Sequence, residues 1–244
     1  MSILKKGLIA SAALALPFAV SANSKLERMM GDPNQWVQQS GNYAGERYTE
    51  LDQINKSNVG SLKVAWTFST GVLRGHEGGP LVIGDVMYVH TAIPNIVYAL
   101  DLNDDQRIIW KYNPVKGGKY PGGETMDRVI SVMCCDNVNR GVNYHPNGTI
   151  VTHVADTSVI ALDAKTGKTK WITTNMHSGT GKYGVSASTG SGQPYIIKDT
   201  VGVGCSGAEF GVRCNWTSYD INSGKRIWRA YSMGPDKDML VDPN

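Results

Sequence analysis

Cys134 and Cys135 are neighbours in the segment VMCCDNVNRG. Adjacent cysteines bridge only by closing a small ring around a distorted peptide. Strain of that kind has to be held by its surroundings, and it concentrates at functional sites. The alternative is a pair of reduced, buried thiols; an oxidising compartment favours the bridge. A second segment, GCSGAEFGVRC, places Ser206, Gly207 and Ala208 immediately before Glu209. Small residues let a flat ligand approach the backbone, and a carboxylate beside them is an oxygen ligand for a hard cation. Taken alone, a Glu in a glycine-rich loop is more often simply solvated. In RGHEGGPLV, Glu77 stands between His76 and a glycine pair, just ahead of a strand. His76 by itself reads as structural rather than as a ligand. Four cysteines, at 134, 135, 205 and 214, lack the CxxC or Cys/His clusters of a zinc site. The chain also holds no GxSxG elbow, P-loop or HExxH.

The elements that must position these residues come from a repeat. VYALDLNDDQRIIWKY (97–112), VIALDAKTGKTKWI (159–172) and TSYDINSGKRIWRA (217–230) each run strand, Asp, turn, strand, Trp. Asp101, Asp163 and Asp220 precede Trp110, Trp171 and Trp228 by eight or nine residues. Alternating apolar residues predict half-buried strands. The Asp and the following Thr-Gly or Ser-Gly satisfy turn groups and supply positive φ. The second strand is expected to end on the Trp, which packs against a neighbouring repeat. A partial fourth copy, LKVAWTF at 62–68, carries Trp66 on a predicted strand end. Further strands are expected in PLVIGDVMYVHT, GTIVTHVA and PYIIKDTVGVGC. Each unit then holds about four strands over roughly 45 to 60 residues, which predicts an all-β fold of the β-propeller type rather than a sandwich. Three to four blades fit in the chain. The repeat stops near Ala230, and the sequence is expected to be an incomplete propeller.

Lys5 and Lys6, the apolar run 7–20 and Val20-Ser21-Ala22 read as a secretory leader over residues 1–22. Its apolar stretch is short for a membrane span. Loss of the two lysines lowers the formal charge from +3 to +1. That is no footprint for nucleic acid, and no like-charge run marks a polybasic membrane patch. An exported protein is expected, with 23–244 forming part of one domain.

These sites, set on Trp-turn blades, make the chain resemble the PQQ-dependent (quinoprotein) alcohol dehydrogenases. The resemblance runs through INKSNVGSLKVAWTFSTGVLRGHEGGPLV, PNIVYALDL, VMCCDNVNRG, ALDAKTGK, KDTVGVGCSGAEFGV and WRAYSMGPDKDMLVDP. STGVLRGHEGGP and RAYSMGPD look most like the lanthanide-dependent methanol dehydrogenases, whereas Ala208 is closer to the calcium-type subunit. The resemblance implies an eight-bladed propeller with PQQ near its axis, stacked on a Cys134–Cys135 disulfide. Glu77 would contact PQQ and Arg140 would bind one of its carboxylates. Ser206, Gly207 and Ala208 would line the cofactor, and Glu209 would ligate Ca2+ or a lanthanide ion. Ser191 falls where the family has a Thr; Thr189 is the nearby alternative. The implied reaction is metal-assisted hydride transfer from a small primary alcohol, methanol or ethanol, to the quinone, with a periplasmic cytochrome c as electron acceptor. The full-length enzyme would be a periplasmic homodimer.

The same resemblance places the catalytic Asp base and the remaining metal ligands beyond Asn244. No catalytic residue is therefore expected within this chain, and the isolated 244-residue protein is expected to be inactive. Alcohol oxidation by the purified protein would contradict this. Cys205 and Cys214 have two open outcomes, a bridge across the metal loop or two free thiols. Two other functions compete with this one. A non-catalytic scaffold of the outer-membrane assembly lipoprotein type needs neither paired cysteines nor an SGAE loop, and it carries a lipobox cysteine absent here. A quinoprotein for another alcohol or a sugar would differ in pocket residues further downstream.

Overall fold

The computed structural model describes residues 23–133, 138–175, 187–234 and 237. The leader and the Cys134–Cys135 pair, with the bridge expected there, lie outside the described residues. Three four-stranded antiparallel sheets account for the strands. The first holds β1 (Leu81–Ile83), β2 (Val86–His90), β3 (Val97–Asp101) and β4 (Ile108–Tyr112). The second holds β5 (Val142–His145), β6 (Thr149–His153), β7 (Ser158–Asp163) and β8 (Thr169–Thr174). The third holds β9 (Tyr195–Ile197), β10 (Thr200–Val203), β11 (Asn215–Asp220) and β12 (Arg226–Tyr231). Each is a meander in chain order, the arrangement of a propeller blade.

The repeat Asp closes each outer hairpin. Asp163 Oδ1 accepts from Lys165 N, Thr166 N and the Thr166 hydroxyl. Asp220 Oδ1 does the same with Asn222 N, Ser223 N and the Ser223 hydroxyl. The Thr166 and Ser223 hydroxyls and the backbone N–H groups hold both carboxyls below the usual carboxylate range. Gly167 and Gly224 follow at φ 67° in both turns. The first blade has no glycine there, and Asp105 and Gln106 take the positive φ instead.

Those turn glycines also receive the tryptophans. Trp110 lies over Gly167, and a Cβ on that glycine would sit 2.6 Å from the indole. Trp110 Nε1 donates to Ala164 O at 2.9 Å. One blade along, Trp171 lies over Gly224 at the same 2.6 Å and donates to Ile221 O at 2.8 Å. The first and second blades therefore each plug their Trp into the outer turn of the next. These tryptophans sit within β4 and β8, not at their ends as the hairpin reading expects. Trp228, the third in the series, is 42% exposed.

Between the blades lie two apolar layers. Tyr88, Val97, Ala99 and Trp110 of the first blade meet Val142, Ile150, Ile160 and Leu162 of the second. Val151 and Val159 of the second meet Ile196, Val201, Val203 and Tyr219 of the third. Period-2 alternation sends successive residues to opposite layers, so β7 of the middle blade is buried almost throughout. The outermost strands β4, β8 and β12 are mostly exposed.

Three features depart from the sequence reading. Residues 62–68 form no strand; Val64 is 80% and Trp66 39% exposed. Their alternation finds no ladder partner among the described residues, and a strand needs one. Two short helices were not anticipated, α1 (Ser24–Met30) and α2 (Met126–Ile130). The side chains of Asn23 and Thr125 cap them, and α1 buries Leu26 in the layer between the second and third blades.

Candidate functional site

The ladders put the expected site residues in register. Tyr88, Val151 and Gly202 pair with Leu81, Asn143 and Tyr195 on the first strand of each blade. Four residues before these partners stand Glu77, Asn139 and Ser191; the next positions are Gly78, Arg140 and Gly192. The two positions just ahead of each first strand thus supply Glu77, Arg140 and Ser191 to a common cleft, and Ser206 joins them from the segment after β10. Glu77, Arg140, Ser191 and Ser206 all line a cavity of about 670 Å³. An adjoining cavity of about 430 Å³ shares Arg140, Ser191 and Ser206 and adds Gly207, Ala208 and Glu209.

Hydrogen bonds tie the cleft together. Arg140 N donates to Ser191 O at 3.1 Å. Its guanidinium Nη1 lies 3.3 Å from both Ser191 O and Ser191 Oγ. Ser191 Oγ is 2.5 Å from Ser206 Oγ. Thr189 instead pairs its backbone with Ser206, at 3.0 and 2.8 Å, and is buried. Ser191 is thus the side chain that reaches Arg140. On the other side, the Gln39 amide clamps the backbone of Gly79, and Gly79 N donates back to Gln39 Oε1 at 2.9 Å. That clamp holds the Glu77 segment. His76 caps it locally, through Arg74 O at 2.8 Å and Thr70 Oγ1 at 3.2 Å.

The loop carrying Glu209 is closed by a disulfide between Cys205 and Cys214, whose Cα atoms are 5.5 Å apart. Of the two outcomes open from the sequence, the bridge is the one formed. Gly207 has φ 117°, and a Cβ there would collide with Ala187 O. A single 3-10 turn, Ala208–Phe210, then presents Ala208 and Glu209 in exposed positions.

This arrangement fits a flat, anionic, oxygen-rich ligand. One guanidinium flanked by two hydroxyls can take a carboxylate, and Gly207, whose Cβ space is filled by Ala187 O, holds the adjoining loop in place at positive φ. For a hard cation the fit is partial. Such ions take six to eight oxygens, and among the described residues no group of three or more His, Cys, Asp or Glu gathers. Glu209 would be one ligand of several.

Sequence reasoning missed the groups beneath the cleft: Gln39, Asn139, His90 and His153. His90 Nε2 lies 3.0 Å from Asn139 O, while its Nδ1 is buried without a partner. His153 is 1% exposed and neither ring nitrogen makes a well-formed hydrogen bond, with only a weak interaction reaching the Gly192 backbone. A signal existed, since each His precedes its repeat Asp by ten or eleven residues. Burial pushes both imidazoles down to about 4, against the weaker opposing pull of the Asn139 and Gly192 backbones. The folded state therefore binds fewer protons than the unfolded chain between about pH 4 and the ordinary histidine value of 6.5. Stability from this source is complete above 6.5 and declines as pH falls towards 4. Thermal melts across that window should show a falling midpoint, and the fall should shrink in a His90→Gln, His153→Gln double variant. Equal pH profiles for the two proteins would contradict the assignment.

Comparison with known proteins agrees with this geometry. The family model described as "Glucose/ethanol/alcohol dehydrogenase, beta-propeller domain", of the PQQ family, matches residues 36–241. A lanthanide-dependent methanol dehydrogenase of Methylorubrum extorquens is 50% identical over 232 residues, 95% of this chain and 36% of that protein. Subunit 1 of the methanol dehydrogenase [cytochrome c] of Methylobacterium organophilum is 43% identical over 245 residues, 98% of this chain and 37% of that protein. The solved structure of a europium-containing methanol dehydrogenase superposes with a TM-score of 0.80 at 49% identity, covering 91% of this chain and 36% of that one. The chain thus spans little more than a third of the length of these relatives. With three blades joined by two plugged tryptophans and a family match over most of its length, the chain belongs to the PQQ-dependent alcohol dehydrogenases and forms part of their β-propeller domain.

Proposed function

We propose that this chain is the N-terminal part of a periplasmic PQQ-dependent alcohol dehydrogenase. The enzyme would oxidise a small primary alcohol such as methanol and pass electrons to a cytochrome c. Residues 1–22 would be its signal peptide and 23–244 one segment of a single propeller domain. The observation that carries the reading is the convergence of Glu77, Arg140, Ser191 and Ser206 on one cleft. The relatives' names support the cofactor and acceptor: they include lanthanide-dependent, europium-containing and cytochrome c methanol dehydrogenases.

In this reading Arg140 and Ser191 bind a carboxylate of PQQ, and Glu77 contacts the same cofactor. Ser206, Gly207 and Ala208 line it, and Glu209 supplies one oxygen ligand to Ca2+ or a lanthanide ion. Cys134 and Cys135 would form the disulfide it stacks on. Bound there, PQQ with its cation would supply a hydride acceptor. The chain's own residues bind and orient. The proton acceptor for the alcohol would, on the family resemblance, come from outside residues 1–244. The reading is tested by titrating the 244-residue protein with PQQ, alone and with Ca2+ or La3+, while following tryptophan fluorescence. Saturable quenching, tightened by the cation, is expected. Absence of saturable binding would overturn the proposal.

A further inference from the structure

The strand ladders reveal a second repeated position. Asp101, Asp163 and Asp220 pair with Val86, Thr149 and Thr200 on the second strand of each blade. Four residues further on stand His90, His153 and Gly204. Two blades thus end their second strand on a buried imidazole, and in the third the same position is Gly204, just past the strand and next to the disulfide loop.

Each imidazole reaches forward into the next blade. His90 Nε2–H donates to Asn139 O at 3.0 Å, directly before Arg140. On its other side lies Gly78, next to Glu77; a Cβ there would collide with the ring and would lie 3.0 Å from Arg140 C. His90 is therefore wedged between the backbones that carry Glu77 and Arg140. His153 shares the forward contact with the next blade, by packing alone. A Cβ on Gly190, the neighbour of Ser191, would lie 2.7 Å from His153 Nε2. Neither ring reaches the cavity wall itself.

We infer that His90 and His153 are positioning residues, each supporting the segment that leads into the next blade's first strand. His90 thereby sets Arg140 and Glu77, and His153 sets Ser191. The inference rests on the reading of the cleft as the PQQ site. Neutral imidazoles suit the task, because both sites are sealed and a charged ring there would be strongly disfavoured. Gly78 and Gly190 are the complementary half of the device. Only a residue without a Cβ lets the backbone rest on the ring.

The test compares His90→Gln with His90→Asn in the 244-residue protein. The amide nitrogen of Gln matches the reach of the imidazole Nε2, whereas that of Asn stops short of Asn139 O. Both are small polar replacements, and the melting temperature of each cofactor-free protein is recorded as a control. PQQ titration is expected to give near-native affinity for H90Q and about tenfold weaker binding for H90N, the cost of an unpaired buried carbonyl beside the binding Arg. A purely structural role would not separate the two variants in this way. Equal PQQ affinity of H90Q and H90N would overturn the inference alone. No saturable PQQ binding by the unsubstituted protein would overturn the cofactor reading, and the inference with it.

Discussion

Arg140→Ala is expected to weaken PQQ binding about a hundredfold, the upper end of what a charge-assisted hydrogen bond supplies. The guanidinium is already aimed. Its backbone N–H and Nη1 both engage Ser191, at 3.1 and 3.3 Å, so little ordering remains for the ligand to drive. Ser191 and Ser206 are neutral and do not replace the charge. Arg47 lines the same large cavity but not the adjoining one that holds Glu209. Arg140→Lys keeps the charge and loses the planar fork, so its affinity should fall between the two. Fluorescence titration at fixed ionic strength measures all three proteins. A folded R140A protein with unchanged affinity would remove Arg140 from the site.

The second large effect concerns the joints between blades. Trp110→Ala should cost about 3–5 kcal/mol of unfolding free energy, in the range for a buried aromatic cut back to Ala. Its ring is 8% exposed, it fills the contact over Gly167, and its indole N–H satisfies Ala164 O at 2.9 Å. Truncation leaves both a cavity and an unpaired carbonyl. Trp228 has the same place in the repeat but is 42% exposed, so Trp228→Ala should cost under about 1 kcal/mol in the 244-residue protein. Urea unfolding of the two variants separates them. Equal losses would mean that the tryptophans do not join the blades.

The Trp contrast also explains why parts of this molecule were legible early. An Asp followed by Thr-Gly or Ser-Gly closes its turn with bonds two or three residues away, so the motif alone locates the hairpin. Alternation with a period of two is equally local: it places β6 and β7 within a residue or two, and marks 80–91 and 194–205 as extended without showing that each folds into two strands. The same logic failed at 62–68, where the alternation is present but a ladder is not. Strand formation depends on a second chain segment, which composition does not report.

By itself, then, the sequence determined the hairpins, the blade repeat, the Gly207 loop and the residue types a carboxylate-bearing quinone would need. All of these follow from interactions within about a dozen residues. Only the tertiary structure decided which of those residues meet. Arg140 and Ser191 are 51 positions apart and come into contact because two blades stack in register. The Gln39 clamp on Gly79 and the imidazoles seated on Gly78 and Gly190 likewise depend on packing between separate segments, whereas the Cys205–Cys214 bridge spans only 9 residues and is closed by the conformation of its own loop. A buried His reads the same as a surface one until its neighbours are known. What turns His90 and His153 into supports is the closeness of a backbone from the next blade, and sheet stacking sets that closeness.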